Sequence, residues 1–274
     1  MDPEVAPRNV ELTALLDAIY HAYHYDFRSY SEASLLRRLR NAIVYFKVPT
    51  LPRLQDKVLR EPVLFNELLR FMTVQVSDMF RDPLYFRMLR EKVVPYLRTY
   101  ASLRVWVAGC ANGEEAYSLA ILLHEEGLLE RTQIYATDIN PDALRVAQDG
   151  VFETERLARF SDNYQLAGGK GSLSEYYSAA YGGAVFDRSL KKAIVFSDHS
   201  LATDQVFAEM QLVSCRNVLI YFERSLQARA LDVLTGSLCH KGFLGLGMKE
   251  TLRFTSLAAR FEECDAEARI YQLL

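Results

Sequence analysis

The chain has 274 residues, half of them hydrophobic, with 32 basic against 35 acidic side chains and a net charge of −3, which is the composition of an ordinary globular protein of one or two domains. The slight acidity argues against a general nucleic-acid binder, and no stretch approaches the roughly 18 uninterrupted apolar residues of a membrane span. The four cysteines, Cys110, Cys215, Cys239 and Cys264, are scattered with no CxxC pair or short Cys/His spacing, so no metal site is expected.

The chain opens on a charged, proline-containing segment, MDPEVAPR, without an apolar leader, and a cytoplasmic protein with reduced thiols is expected. From Val10 to about Leu97 the apolar residues recur at helical spacing. Leu12, Leu15, Leu16 and Ile19 form one stripe, Leu35, Leu36, Leu39 and Ile43 a second, and Leu64, Leu68, Phe71 and Met72 a third. This predicts a small all-helical domain over residues 1–98. On the second stripe, Arg37, Arg38 and Arg40 lie away from the leucines, either as a solvated charged face or as a docking surface.

The pattern changes near Leu103. Strands are predicted at 103–109, 132–138, 193–197, 210–215, 242–247 and roughly 268–273, alternating with helices near 113–127, 141–149 and 223–238. The alternation predicts an α/β domain over 99–274, doubly wound, with a mostly parallel sheet and helices on both faces. Residues 160–192 interrupt it. They are rich in Gly, Ser and Tyr, carry turn signals at Gly168-Gly169 and Gly182-Gly183, and read as a small antiparallel β insert, a disordered loop being the alternative.

Residues 104–115, RVWVAGCANGEE, form the most informative stretch: a buried strand, a glycine turn at Gly109 and Gly113, then a helix. The next strand, QIYATD, ends on Asp138, where a βαβ unit sets an acid beside a ribose. The turn lacks the G-x-G-x-x-G that brings backbone against a pyrophosphate. A nucleoside without phosphates fits better, and S-adenosylmethionine is the common one of that kind. Residues 213–222, VSCRNVLIYF, supply a third feature. Arg216 and Asn217 follow a buried strand at the end where ligands sit in an open sheet, and Tyr221 comes next. Arg216 is either a solvated strand-end charge or a buried one that requires an acceptor.

At these residues the chain resembles the chemotaxis receptor methyltransferases, the CheR family, over nearly its whole length. Residues 215–222, CRNVLIYF, are similar to that family's CRNxxIYF. Residues 73–82, TVQVSDMFRD, and 113–118, GEEAYS, match two further motifs, as does the ATDI strand end. The resemblance implies a Rossmann-like class I methyltransferase behind a helical docking domain. Its reaction would be methylation of glutamate side chains in the cytoplasmic helices of chemoreceptors, yielding glutamyl methyl esters and S-adenosylhomocysteine. A non-catalytic S-adenosylmethionine-binding regulator is the alternative. A soluble monomer is expected, with the receptor as partner, no nucleic acid and no membrane insertion.

By motif, the resemblance implies cofactor contacts at Gln75, Ser77, Arg81, Gly109, Glu115, Asp138, Ser200, Leu201, Asn217 and Val218. Asp138 would take the ribose hydroxyls and Glu115 the methionine ammonium. A glutamate substrate is already ionised at neutral pH, so the site needs positioning groups and no general base. Arg81 would hold a carboxylate of the substrate or of the cofactor, and Tyr221 would place its hydroxyl near the line of transfer; a helix-end charge and a core tyrosine are the plainer readings. Arg37, Arg38, Arg40 and Arg216 would dock an acidic receptor helix. Gln75 and Ser200 stand where the family usually has Asn, and GMKET at 247–251 replaces the more usual GHSEN, keeping Glu250. In some members the β insert pairs with a receptor's C-terminal pentapeptide by strand addition.

Overall fold

The computed structural model describes residues 9–274, which form two compact units. The charged start of the chain lies outside the described residues. One unit gathers residues up to Val74 with Tyr221–Arg229, and the other gathers Gln75–Ile220 with Ala230–Leu274. The division falls after Val74, whereas the sequence pattern put it near residue 98. The reason is packing: Phe80, Tyr85, Phe86, Leu89, Val93, Val94 and Leu97 are buried in one core with Val105 and Val107 of the sheet.

The helical unit contains α1 (Val10–Tyr23), α2 (Glu32–Tyr45), α3 (Leu51–Arg60) and α4 (Val63–Met72). The Asn9 side chain caps α1 by accepting from the Leu12 amide, and Pro52 sits in the first turn of α3, where a missing N–H costs nothing. The stripes meet in a core built on Leu15, Ile19, Leu35, Leu39, Leu54, Val58, Leu68 and Met72. Residues 221–229 attach through an antiparallel bridge between Tyr30 and Phe222 and a bond from the Ser31 amide to the Tyr221 carbonyl.

The second unit begins with α5 (Pro83–Met88), which runs through a π turn at Leu89–Val93 into α6 (Val94–Leu97). Then follow β1 (Leu103–Ala108), α7 (Glu114–Glu125), β2 (Thr132–Asp138), α8 (Pro141–Asp149), β3 (Val151–Glu153), α9 (Leu157–Leu166), β4 (Tyr177–Ala180), β5 (Gly183–Phe186), α10 (Arg188–Lys192), β6 (Ile194–Asp198) and β7 (Met210–Cys215). The chain ends with α11 (Arg224–Gly236), β8 (Leu238–Leu246), β9 (Phe261–Asp265) and β10 (Ile270–Leu273). The seven-stranded sheet has the order β6-β2-β1-β7-β8-β10-β9. Its first five strands are parallel, and β10 runs antiparallel to both its neighbours. This is the mostly parallel sheet that the alternating pattern implies.

Strand order reverses between β1 and β7. The chain moves outward from β1 through β2 to β6, then returns to pair β7 with the other side of β1. That switch point opens a crevice at the carboxyl ends of the two strands.

The insert departs from its predicted bounds. Its three strands have the order β3-β5-β4, so it takes in residues 151–153, upstream of 160, and residues 157–166 are helical. The β4–β5 hairpin turns on Tyr181 and Gly182, both at positive φ, as a two-residue type I′ turn requires. Strand β9 was absent from the sequence pattern because its alternation is broken by the charged run Glu262-Glu263 and a half-buried Cys264.

Candidate cofactor site

The turn after β1 is built by glycine. Gly109 has φ +75°, and a Cβ there would stand 2.5 Å from Val218 Cγ2, so the backbone of the first turn lies directly against the loop that follows β7. Gly113, at φ +93°, starts α7 against Ala147, where a Cβ would come within 2.9 Å. The amides of Gly109 and Cys110 both donate to the Thr137 carbonyl at 2.8 Å, locking this turn to the end of β2.

Asp138 lies at that end, buried. One carboxylate oxygen accepts from the Ala111 amide and the other from the Asn140 amide, each at 2.9 Å. Burial pushes its carboxyl above the ordinary carboxylate range, with the Asn140, Ala111 and Ile139 amides pulling it back. Each oxygen keeps acceptor capacity for a hydroxyl.

Glu115 occupies the first turn of α7, at the positive end of the helix dipole. It accepts from Ser214 Oγ at 2.6 Å and from Arg216 Nη1 at 2.9 Å. Arg216 also binds Asp82 Oδ2 at 2.7 Å and the Arg81 carbonyl at 2.8 Å, and its guanidinium lies 4.1 Å from the centre of the Tyr85 ring. The Tyr85 hydroxyl bonds Ser214 Oγ at 2.8 Å, and it occupies the space a Cβ on Gly245 would need. One guanidinium between two carboxylates leaves a single net negative charge, suited to an ammonium group.

Arg81 stands beside this cluster on a strained turn, between Phe80 at φ +51° and Asp82 at φ +58°. Its half-buried guanidinium forms no hydrogen bond or ion pair among the described residues. Just after strand β8, Glu250 is buried and accepts from the amides of Asn217 at 2.9 Å, Gly247 at 2.6 Å and Ile220 at 3.3 Å. It holds Asn217 at φ +60° and thereby fixes Val218 against Gly109.

Residues 75–270 match the family described as CheR methyltransferase, SAM binding domain, and residues 11–73 match CheR methyltransferase, all-alpha domain. The chain belongs to the CheR methyltransferase family. It is 53% identical over 264 residues to a Pseudomonas putida protein provisionally named methyltransferase Cher3, covering 96% of this chain and 97% of that one. It is 32% identical over 241 residues to a chemotaxis protein methyltransferase of Listeria innocua, covering 83% of this chain and 84% of the relative. A 104.1 kDa Rhodobacter capsulatus protein is 32% identical over 99% of this chain, which spans 28% of that relative's length.

The cofactor of a CheR SAM-binding domain is S-adenosylmethionine, and the residues present fit it. Asp138 offers acceptors for ribose hydroxyls, the net negative cluster at Glu115 suits an ammonium, and Arg81, next to Asp82 in the chain, has no counter-ion among the described residues. Ser77, Leu201, Asn217 and Val218 belong to the same unit of the CheR chain; Leu201 is buried, and the Ser200 amide is tied to Asp204 Oδ2 at 2.9 Å. The Gln75 carbonyl accepts from Asn112 Nδ2 at 3.2 Å, joining that segment to the glycine turn.

Two expectations change. Arg216 does not belong to a docking surface, because its side chain is 1% exposed and engaged by Glu115 and Asp82. Arg38 separates from Arg37 and Arg40: those two are exposed, whereas Arg38 donates to the Met72 and Ser34 carbonyls and lies 5.4 Å from the centre of the Tyr221 ring. Tyr221 itself packs in the helical unit. Ser214, Tyr85 and Asp82 escaped sequence reasoning, although a serine inside the run LVSC at 212–215, between apolar residues, is the signal that points to the first of them. Among the described residues no group of His, Cys, Asp and Glu forms a metal site, and no helix is long and apolar enough to cross a membrane.

Proposed function

We propose that this CheR-family chain methylates glutamate side chains on the cytoplasmic helices of a chemoreceptor. The observation that carries the reading is the unpaired Arg81 guanidinium beside the anionic Glu115–Arg216–Asp82 cluster. Such a pair of opposite fields orients an amino-acid end, ammonium toward Glu115 and carboxylate toward Arg81. The bound cofactor supplies a methyl group on a positively charged sulfur.

The remaining work is alignment. A glutamate of ordinary pKa, about 4.3, is ionised at neutral pH and attacks without a base. A carboxylate oxygen gains the methyl, the carbon–sulfur bond breaks toward sulfur, and both charges are neutralised. Exclusion of bulk water around the reacting atoms would favour that step. Arg37 and Arg40 give the helical unit a cationic face suited to an acidic helix, and relatives named as chemotaxis protein methyltransferases support a receptor as partner. The family likeness of CRNVLIYF at 215–222 supports a part for Tyr221 in methyl transfer, which Tyr221→Phe tests through kcat.

The experiment is incubation with a receptor cytoplasmic fragment, its methyl-accepting positions as Glu or as Gln, and methyl-labelled S-adenosylmethionine. Base-labile label on the Glu form alone is expected. Tight cofactor binding with no ester on a competent fragment would instead indicate a non-catalytic regulator.

A further inference from the structure

Glu114 and Arg156 lie outside the cluster just described. Glu114 is wholly buried in the first turn of α7, next to Glu115. Its Oε1 accepts from Arg156 Nη1 at 2.9 Å, and its Oε2 has no hydrogen-bond partner among the described residues. Burial raises its carboxyl above the usual range, and Arg156 is the cation that opposes this shift at the start of the helix.

The other arm of Arg156 reaches the segment before Arg81. Its Nη2 donates to the Ser77 carbonyl and lies 3.5 Å from Asp78 Oδ1. Nearby, Arg159 Nη2 pairs with Asp78 Oδ2 at 2.9 Å and Asn163 Nδ2 donates to the Met79 carbonyl at 3.0 Å. All three donors sit on the stretch that leaves strand β3 of the small sheet. The segment they grip contains Phe80 and Asp82, two non-glycine residues at positive φ. A backbone of this kind persists only where its surroundings over-determine it. The Phe80 amide, bonded to Ser118 Oγ at 2.9 Å, and the Arg81 carbonyl, bonded to Arg216, supply the remaining constraints.

We infer that Arg156 is a positioning residue for the amino-acid end of the cofactor, acting through Glu114 on Glu115 and through Ser77 on Arg81. Among the described residues Arg156 forms no hydrogen bond or ion pair with Glu115 or with the Arg81 side chain, and it follows directly on strand β3 of the small sheet. A single guanidinium therefore sets both halves of the opposed pair of fields, and the small sheet has a physical route to the cofactor crevice. Lysine cannot do the same, since one ammonium lacks the planar fork that serves a carboxylate and a carbonyl together. This inference rests on the proposed orientation of the cofactor, with Arg81 at its carboxylate.

The test compares S-adenosylhomocysteine with methylthioadenosine, which keeps the nucleoside and lacks the amino-acid end. Calorimetric affinities are measured for the wild type, Arg81→Ala, Arg156→Lys and Arg156→Met. For Arg156→Met the expected result is a loss of about 10-fold or more for S-adenosylhomocysteine with methylthioadenosine unchanged within about 2-fold, and Arg156→Lys falls between. If Arg156→Met folds poorly, the double variant Glu114→Gln/Arg156→Met removes the stranded carboxylate and is read in its place. Equal loss for both ligands, or no loss for either, overturns the inference. If Arg81→Ala also spares S-adenosylhomocysteine, the proposed orientation fails; if only Arg81→Ala discriminates, the role of Arg156 alone fails.

Discussion

Arg216 Nη1 lies 2.9 Å from Glu115 Oε2, joining the end of β7 to the first turn of α7 across the point where strand order reverses. Removing one partner of a buried pair strands the other charge, and here it would strand Glu115, while Asp82, 30% exposed, would lose its partner but keep water. Arg216→Met should lower the unfolding free energy by about 3–5 kcal/mol. Urea denaturation checks this. A docking arginine would instead raise the KM for receptor at unchanged stability, and that result would restore the surface role.

The charge-reversed pair Arg37→Glu and Arg40→Glu should behave in the opposite way. Both side chains are exposed, so stability should move by no more than about 0.5 kcal/mol. Receptor methylation should weaken about 10-fold at low salt, with the difference shrinking as salt rises and S-adenosylhomocysteine affinity unaltered. Initial rates across a salt series measure this. Arg38→Ala belongs to another class, because it removes the guanidinium that donates to the Met72 carbonyl and, beside the helical bond, to the Ser34 carbonyl, and should destabilise the helical unit by about 1–2 kcal/mol.

Glu250 carries a structural duty that its place in the GMKET segment conceals. Its carboxylate takes the backbone amides of Asn217, Ile220 and Gly247 from two turns, and Glu250→Ala would remove their acceptor, leaving the buried Gly247 amide without one. A loss of about 2–4 kcal/mol is expected, with weakened cofactor binding because Asn217 and Val218 lose their fixed turn. Glu250→Gln keeps one acceptor oxygen and should lose less. Equal stability of Glu250→Ala and wild type in thermal denaturation would count against this role.

The parallel core strands were legible because each is a short apolar run flanked by turn residues, and the glycine turn with Asp138 was legible because strand, glycine and acid follow one another within a few residues. Tertiary placement was not. Arg37, Arg38 and Arg40 are equivalent in composition, and only the arrival of Tyr221 and the end of α4 distinguishes Arg38. The boundary at residue 74 was hidden because 83–97 is as helical as the residues before it; which core a helix joins depends on contacts such as Tyr85 with Ser214, which are 129 residues apart. Arg156 gave no signal either, being one arginine in a polar stretch.

Asp138 should give cofactor binding a pH dependence of definite sign. Burial raises its folded-state pKa. Between the ordinary carboxylate value and that raised value, the folded apoprotein holds a proton that the unfolded chain has lost. Through this group its stability therefore rises as pH falls through the window. A ribose hydroxyl donates to the carboxylate and favours its ionised form, so binding moves the other way. As pH falls from neutral toward the ordinary carboxylate range, the affinity of the wild type for S-adenosylhomocysteine should fall. Asp138→Asn should bind about 10-fold more weakly at neutral pH and show a flat profile. Calorimetry on both proteins across this range decides it, and a pH profile that Asp138→Asn leaves unaltered would move the titration to another group and refute the assignment of Asp138 to the ribose.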